Sequence, residues 1–391
     1  MRDSHRLQAV QTPIIPVVAD LIRANPGTIS LGQGVVNYGP PPAASVQIAR
    51  FLSEPENHKY QATSGLPALL ESLARKLSVE NGVDVGAAHG VGLMVTAGGN
   101  QAFLNAALAI LDPGDEVILP VPYYFNHEMA IVMASARPVL VPTDGDYQLD
   151  VDAIRAAITP RTRAILTVSP NNPSGAVYRE DDLRAVNLLC AEHGLFHLSD
   201  EAYEYFTYDD ARHFSPASIP GAAAHTISLY SMSKAYGFAS WRIGWMAFPT
   251  QLEPALRKIQ DTVIICPPVI AQYAALGALE EGAAFVREKV GKLAKTRAMV
   301  KRELALLQEE GLADVPDAAG ALYFLLRLKT PLAPLDYATR LIEEHRVAVI
   351  PGSAFGLTQG CYLRVAYGAL QAETAAEGVG RLVSGVRALA R

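Results

Sequence analysis

Ser231-Met232-Ser233-Lys234-Ala235-Tyr236-Gly237, followed by Trp241-Arg242-Ile243-Gly244, is the stretch on which the reading of this chain turns. It comes directly after a strand-like run, Thr226-Ile227-Ser228-Leu229-Tyr230, so the Lys234 amine is expected to project from a strand end into a cleft. An amine there can condense with a carbonyl, provided burial or cationic neighbours keep part of it unprotonated. Ser231 would supply a hydroxyl, and Arg242 a planar cationic fork suited to a phosphate. An aldehyde that also carries a phosphate would satisfy all three. Alone the motif is weak, since about nine in ten lysines are solvated surface charges.

Outward from this block, the runs 93–96, 116–120, 138–141, 164–168, 196–199, 226–230 and 244–248 read as strands. Between them, 101–107, 127–135, 151–158 and 181–193 carry helical patterns. This alternation predicts an α/β fold with a mostly parallel seven-stranded sheet flanked by helices. The last third reads differently. A charged helix over 283–310, strands at 322–326, 347–350 and 362–366, and helices over 336–345 and 372–389 make an α+β pattern of a smaller domain. No repeat, low-complexity tract or linker separates the two parts, so close packing is expected.

At 391 residues, two domains are the default expectation. Half of the residues are hydrophobic and 18% charged, ordinary for a well-buried globular enzyme. A net charge of −6, with no long basic run, argues against nucleic acid or an anionic membrane surface as partner. Cys190, Cys266 and Cys361 are widely separated, which suits a reducing, cytoplasmic setting and speaks against a disulfide framework or a metal site. The first residues lack an apolar signal core, and no stretch is apolar enough to span a bilayer.

Loops after strands are where ligands bind in open α/β sheets. Thr96-Ala97-Gly98-Gly99-Asn100 joins a strand to a helix, so its N–H groups can hold a phosphate, although a Gly-Gly pair is more often a tight turn. Ser169-Pro170-Asn171-Asn172-Pro173-Ser174-Gly175 follows another strand; asparagine there is turn chemistry by default. Asp200 ends an apolar strand with a carboxylate that needs a partner, either a helix start or a cationic ligand.

Together these pieces resemble the fold-type I pyridoxal 5′-phosphate (PLP) enzymes, specifically the class I/II aminotransferase family, in the family's order and over nearly the whole chain. Leu31-Gly32-Gln33-Gly34 is similar to the segment that closes over substrate, and Tyr60 to the tyrosine that reaches the neighbouring subunit's phosphate. Gly98-Gly99-Asn100 matches the phosphate loop, Tyr124 the aromatic that stacks on the pyridine ring, and Asn172-Pro173-Ser174-Gly175 the N-P-x-G motif. Asp200-Glu201-Ala202-Tyr203 resembles D-x-x-Y, and Ser231, Ser233, Lys234 and Arg242 the lysine block. Tyr362-Leu363-Arg364-Val365 matches the segment whose arginine clamps the substrate carboxylate.

The resemblance implies a large PLP-binding domain over 37–284, a small domain from 1–36 and 285–391, and a homodimer with sites at the subunit interface. It implies that Lys234 carries PLP covalently and moves the substrate proton. Asp200 would pair with the pyridinium nitrogen, and Asn172 and Tyr203 would bond the ring oxygen. Gly98, Gly99, Asn100, Ser231, Ser233, Arg242 and the partner's Tyr60 would hold the phosphate. Gly34, Asn172 and Arg364 would meet the substrate. The expected reaction is ping-pong amino transfer from an L-amino acid to a 2-oxo acid.

In aspartate-specific relatives a partner-subunit arginine or a lysine after the loop glycines binds the distal carboxylate; the corresponding positions here are Asp261 and Asn100. With an apolar segment at Pro13-Ile14-Ile15-Pro16-Val17 expected at the pocket mouth, a neutral or aromatic donor is favoured. The alternatives are an aspartate- or glutamate-specific aminotransferase and a PLP-dependent carbon–sulfur β-lyase. A non-catalytic sensor would need a DNA-binding region before about Leu31, and a nicotinamide enzyme a glycine fingerprint with a ribose-binding acid; neither is found.

Overall fold

The parallel strands that carry the Lys234 block are apolar on both faces, as strands sandwiched between helices must be. Ile118 and Ile165 pack with Ile154, Leu183 and Val186 on one side of the sheet. Val117, Leu119, Ala164 and Leu166, one residue out of phase, pack with Ala102, Phe103, Ala106 and Ile131 on the other. The computed structural model describes residues 4–390. Its seven-stranded sheet has the order Val91–Thr96, Gly244–Pro249, Thr226–Ser231, Phe196–Asp200, Thr162–Val168, Glu116–Val121, Arg137–Pro142. Six strands are mutually parallel, and Gly244–Pro249 runs antiparallel to both of its neighbours.

This topology gathers the site. Thr96, Val168, Asp200 and Ser231 all finish at one edge of the sheet, where an open α/β fold binds ligands. Because Gly244–Pro249 is reversed, it begins at that edge: Gly244 pairs with both Thr96 and Ser231. Arg242, just before it, therefore arrives beside the Lys234 turn.

The C-terminal part holds a four-stranded antiparallel sheet, ordered Ile350–Pro351, Cys361–Ala366, Tyr323–Leu328, Ala313–Asp314. Ile29–Ser30 pairs with Val347–Ala348, and Leu31 continues the link, its N–H donating to Ala348 at 2.8 Å and its carbonyl accepting from Ala366 at 2.7 Å. The chain start is thus sewn beside Arg364. One reading needs correction. The run 347–350 is not one strand: it switches sheets at Val349, because Val347–Ala348 pairs with Ile29–Ser30 and Ile350–Pro351 with Cys361–Ala366. The helix expected over 283–310 is present and runs to Glu309; it follows a break at Gly282, whose φ of 63° lies outside helical space, and a further helical segment from Val269 precedes that break. The preceding segment, which had no reading, is rich in alanine and buried, so charge patterning could not reveal it. Among the described residues no single helix is long and apolar enough to cross a membrane.

Behind the Lys234 turn lies a buried ion pair. Lys76, at the end of the Pro67–Lys76 helix, meets Glu204 and donates to Asn81 Oδ1 at 2.7 Å. Its ammonium lies 5.2 Å from the centroids of both Tyr205 and Tyr230. Lys76→Ala strands the Glu204 carboxylate, leaving Asn81 as its donor among the described residues. We expect a loss of about 3–5 kcal/mol, read as a lowered thermal unfolding midpoint. A change within error would mean that water already screens the pair.

Candidate active site

A cavity of about 310 Å³ opens at the sheet edge. Every residue expected at the site lines it except Gly98 and Tyr60. Its floor is the Lys234 turn. Ser231 caps the short helix Met232–Ala235, its Oγ accepting from the Ser233 N–H at 3.2 Å. Lys234 stands among cations: burial first, then Arg364 and Arg242, bring its amine down to about 8, against the opposing pull of Asp200. Such an amine is a nucleophile and a proton carrier near neutral pH.

One end of the cavity is an anion cradle. Ser231 and Ser233 hydroxyls lie 2.9 Å apart, and Arg242 Nη1 is 3.5 Å from Ser233 Oγ while donating to the Ala239 carbonyl at 2.8 Å. Opposite stands the N-terminus of the Gly99–Ile110 helix, whose dipole and free N–H groups favour an anion. Gly98 has φ +85°, and a Cβ there would collide with the Arg242 guanidinium. Its part is to let the arginine lie against the loop rather than to line the cavity.

The opposite wall carries a carboxylate. Asp200 Oδ1 accepts from the Ala202 N–H at 3.0 Å, and Oδ2 lies 3.0 Å from His127 Nε2. His127 is buried on the Phe125–Met133 helix, with its ring 4.3 Å from that of Phe103. Tyr124, one residue before this helix, has its hydroxyl bonded by Asn126 Nδ2 at 2.7 Å. Tyr203 reaches in from the turn after Asp200, and its hydroxyl is 2.5 Å from that of Tyr323.

The third corner is Arg364, only 2% exposed. Nη1 donates to Asn172 Oδ1 at 2.9 Å and Nη2 to the Gly32 carbonyl at 2.7 Å, while Nε has no partner among the described residues. The guanidinium lies 4.5 Å from the Tyr323 ring centroid and 5.1 Å from that of Phe355. No ion pair holds it among the described residues. A buried cation left this way marks a place for a small carboxylate.

Some residues had no sequence reading. His127 is three positions after Tyr124, within the same helical turn, a spacing that could have suggested it. Tyr323 lies in an apolar strand run and looks like core. Ile15 was expected at the mouth as part of an apolar segment, and it lines the cavity from the Ile14–Ala24 helix. Tyr60 stays apart from the cavity of its own chain and is 77% exposed. Asp261 lies on the Glu253–Ile264 helix and does not line the cavity either.

An anion cradle, a carboxylate across from it and a depressed amine between them fit PLP, whose phosphate, ring nitrogen and carbonyl call for those three groups. The comparisons agree. The family model for aminotransferase class I and II matches residues 26–382. The aspartate aminotransferase of Pyrococcus abyssi is 34% identical over 94% of each chain. The aromatic-amino-acid aminotransferase 2 of Thermococcus litoralis is 34% identical over 93% of each. Among solved structures, a Thermus thermophilus aspartate aminotransferase double mutant superposes with a TM-score of 0.89 at 32% identity, covering 98% of this chain and 100% of that one. The aromatic aminotransferase of Pyrococcus horikoshii gives 0.87 at 34% identity, covering 95% and 99%. This chain belongs to the class I and II aminotransferases and is a PLP-dependent amino-acid transaminase.

Proposed function

We propose that the enzyme takes its amino group from a neutral or aromatic L-amino acid and passes it to a 2-oxo acid. One observation carries the side-chain preference. The cationic residues lining the cavity are Lys234, Arg242 and Arg364, and each already has a task at the amine, phosphate or α-carboxylate. What remains for the substrate side chain is chiefly Ile15, Val35 and Phe125, with Gln33 as a neutral polar neighbour, a mostly apolar wall without a cation. A distal carboxylate would find no counter-charge there. Relatives named for aspartate and for aromatic donors are equally similar, so similarity alone does not choose.

In this reading PLP, when bound, supplies the electron sink, and the chain's own groups do the rest. Lys234 Nζ holds the cofactor between turnovers and then moves the proton at the substrate Cα. Asp200, steadied by His127 and the Ala202 N–H, keeps the ring nitrogen protonated. Asn172 and Tyr203 bond the ring oxygen, with Gly99, Asn100, Ser231, Ser233 and Arg242 around the phosphate and Gly98 behind Arg242. Arg364, Asn172 and the Gly34 segment take the α-carboxylate. We also propose a homodimer in a cytoplasmic setting, with the exposed Tyr60 completing the partner's phosphate site. Full activity in a species eluting as a monomer would remove that part.

The test is the visible spectrum of the loaded enzyme with single amino acids and no acceptor. Conversion of the cofactor band by phenylalanine, tyrosine, methionine or leucine, far faster than by aspartate, is expected. Faster conversion by aspartate would reverse the assignment, and pyruvate released from cystathionine without acceptor would favour the lyase. The depressed amine adds a prediction. Capture of added PLP by the cofactor-free protein should quicken as pH rises and level off above about 8, because Lys234 is protonated below that value and neutral above it. A midpoint near the ordinary lysine value of about 10.4 would show that the cations do not act on it.

A further inference from the structure

Tyr203 and Tyr323 form a closed pair. Both line the cavity, each is buried, and each finds its hydrogen-bond partner in the other, 2.5 Å away. Two hydroxyls that share one hydrogen bond have two protons between them. One lies in the bond and the other is free to point into the cavity. Which phenol owns the free proton decides whether Tyr203 enters the site as a donor or as an acceptor.

Arg364 breaks the symmetry. Its guanidinium is stacked 4.5 Å from the Tyr323 ring centroid, and a cation over a phenol makes that hydroxyl the stronger donor. The proton affinities run the same way: burial raises both phenols, Tyr203 well above the ordinary range, and Arg364 pulls against the rise at both, as the chief opposing influence at Tyr323 and the least of those acting on Tyr203. Room for this hydroxyl is made on the other side by Gly34, where a Cβ would strike the Tyr323 oxygen. From this geometry we infer that Tyr323 is a positioning residue: it donates to the Tyr203 oxygen, so that Tyr203 turns its own proton into the cavity. A hydroxyl that is already accepting a bond is also the better donor. Arg364, which meets the substrate carboxylate, and Tyr203, which meets the cofactor, are thereby joined through one ring.

The inference rests on the assignment of the cofactor to this cavity, and its test separates the two. The readout is the pH midpoint of the visible band of the loaded enzyme, which falls when the anionic ring oxygen receives a stronger bond. Tyr323→Phe is expected to raise the midpoint by a few tenths of a pH unit, since chained hydrogen bonds strengthen one another by roughly 10–30%. Gly34→Ala, which displaces the same hydroxyl without deleting it, should raise it too, and thermal melting of the cofactor-free variants reports any general loss of fold. Tyr203→Phe is the control and should raise the midpoint further than either. If Tyr203→Phe shifts the band while Tyr323→Phe leaves it in place or lowers it, the direction of donation is wrong and the inference falls alone. If Tyr203→Phe has no effect, the cofactor is not held as proposed and both fall.

Discussion

Lys234→Ala is expected to lower kcat by at least about 10²–10⁴-fold, the contribution of one positioned general acid–base group, and in practice to end turnover, since the proposed covalent anchor of the cofactor goes with it. The fold should survive. The lysine is held in surroundings that disfavour its charge, since burial, Arg364 and Arg242 all pull the amine below its ordinary value. Removing it relieves a strain on the native state rather than a support of it, so the thermal midpoint should not fall. PLP should still bind through the cradle of Ser231, Ser233, Arg242 and the Gly99–Ile110 helix start, without resisting dialysis after borohydride treatment. Full activity in this variant would sink the central assignment. A loss of PLP binding altogether would show that the cradle contributes less than its geometry suggests.

That outcome bears on how the site was legible. The Lys234 block, Asp200 and the Gly98-Gly99-Asn100 turn each stand at a strand end, and the β-α alternation places strand ends together at one sheet edge. Polar residues that interrupt apolar runs at such points are conspicuous, so the sequence carries them openly. Arg364 was reached by resemblance, from its place in Tyr362-Leu363-Arg364-Val365; its unpartnered Nε became visible only in three dimensions.

Tyr323 and His127 were hidden for a different reason. Each looks like core in its own element, Tyr323 in the run Tyr323–Leu328 and His127 on a buried helix face. Their partners, Tyr203 and Asp200, lie far along the chain; the spacing of His127 from Tyr124 hints that His127 faces the site, but no local periodicity encodes either pairing. The N-terminal helices Pro42–Ser53 and Pro67–Lys76 did leave a signal, since each has proline in its first turn, the position where its missing N–H does no harm.

Arg364→Ala should reduce kcat/KM by about 30- to several-thousand-fold, the equivalent of roughly 2–5 kcal/mol for cutting one partner from a buried charge pair. The loss should fall on every amino donor alike, because the α-carboxylate is the one group all of them share. It should appear chiefly in KM, since the proposed contact would be made in the bound substrate as well as at the transition state. The deletion has a second effect, on Lys234. Arg364 is one of the groups that depress Lys234, so its removal lets the amine rise above about 8 and moves the pH dependence of PLP capture upward. Arg364→Lys should not restore the lost affinity: a point charge cannot donate to Asn172 Oδ1 and the Gly32 carbonyl at once and still lie flat on the Tyr323 and Phe355 rings. A defect confined to one donor would mean that Arg364 reads the side chain. The cavity would then hold a cation for a distal carboxylate after all, and the preference for neutral and aromatic donors would have to be abandoned with it.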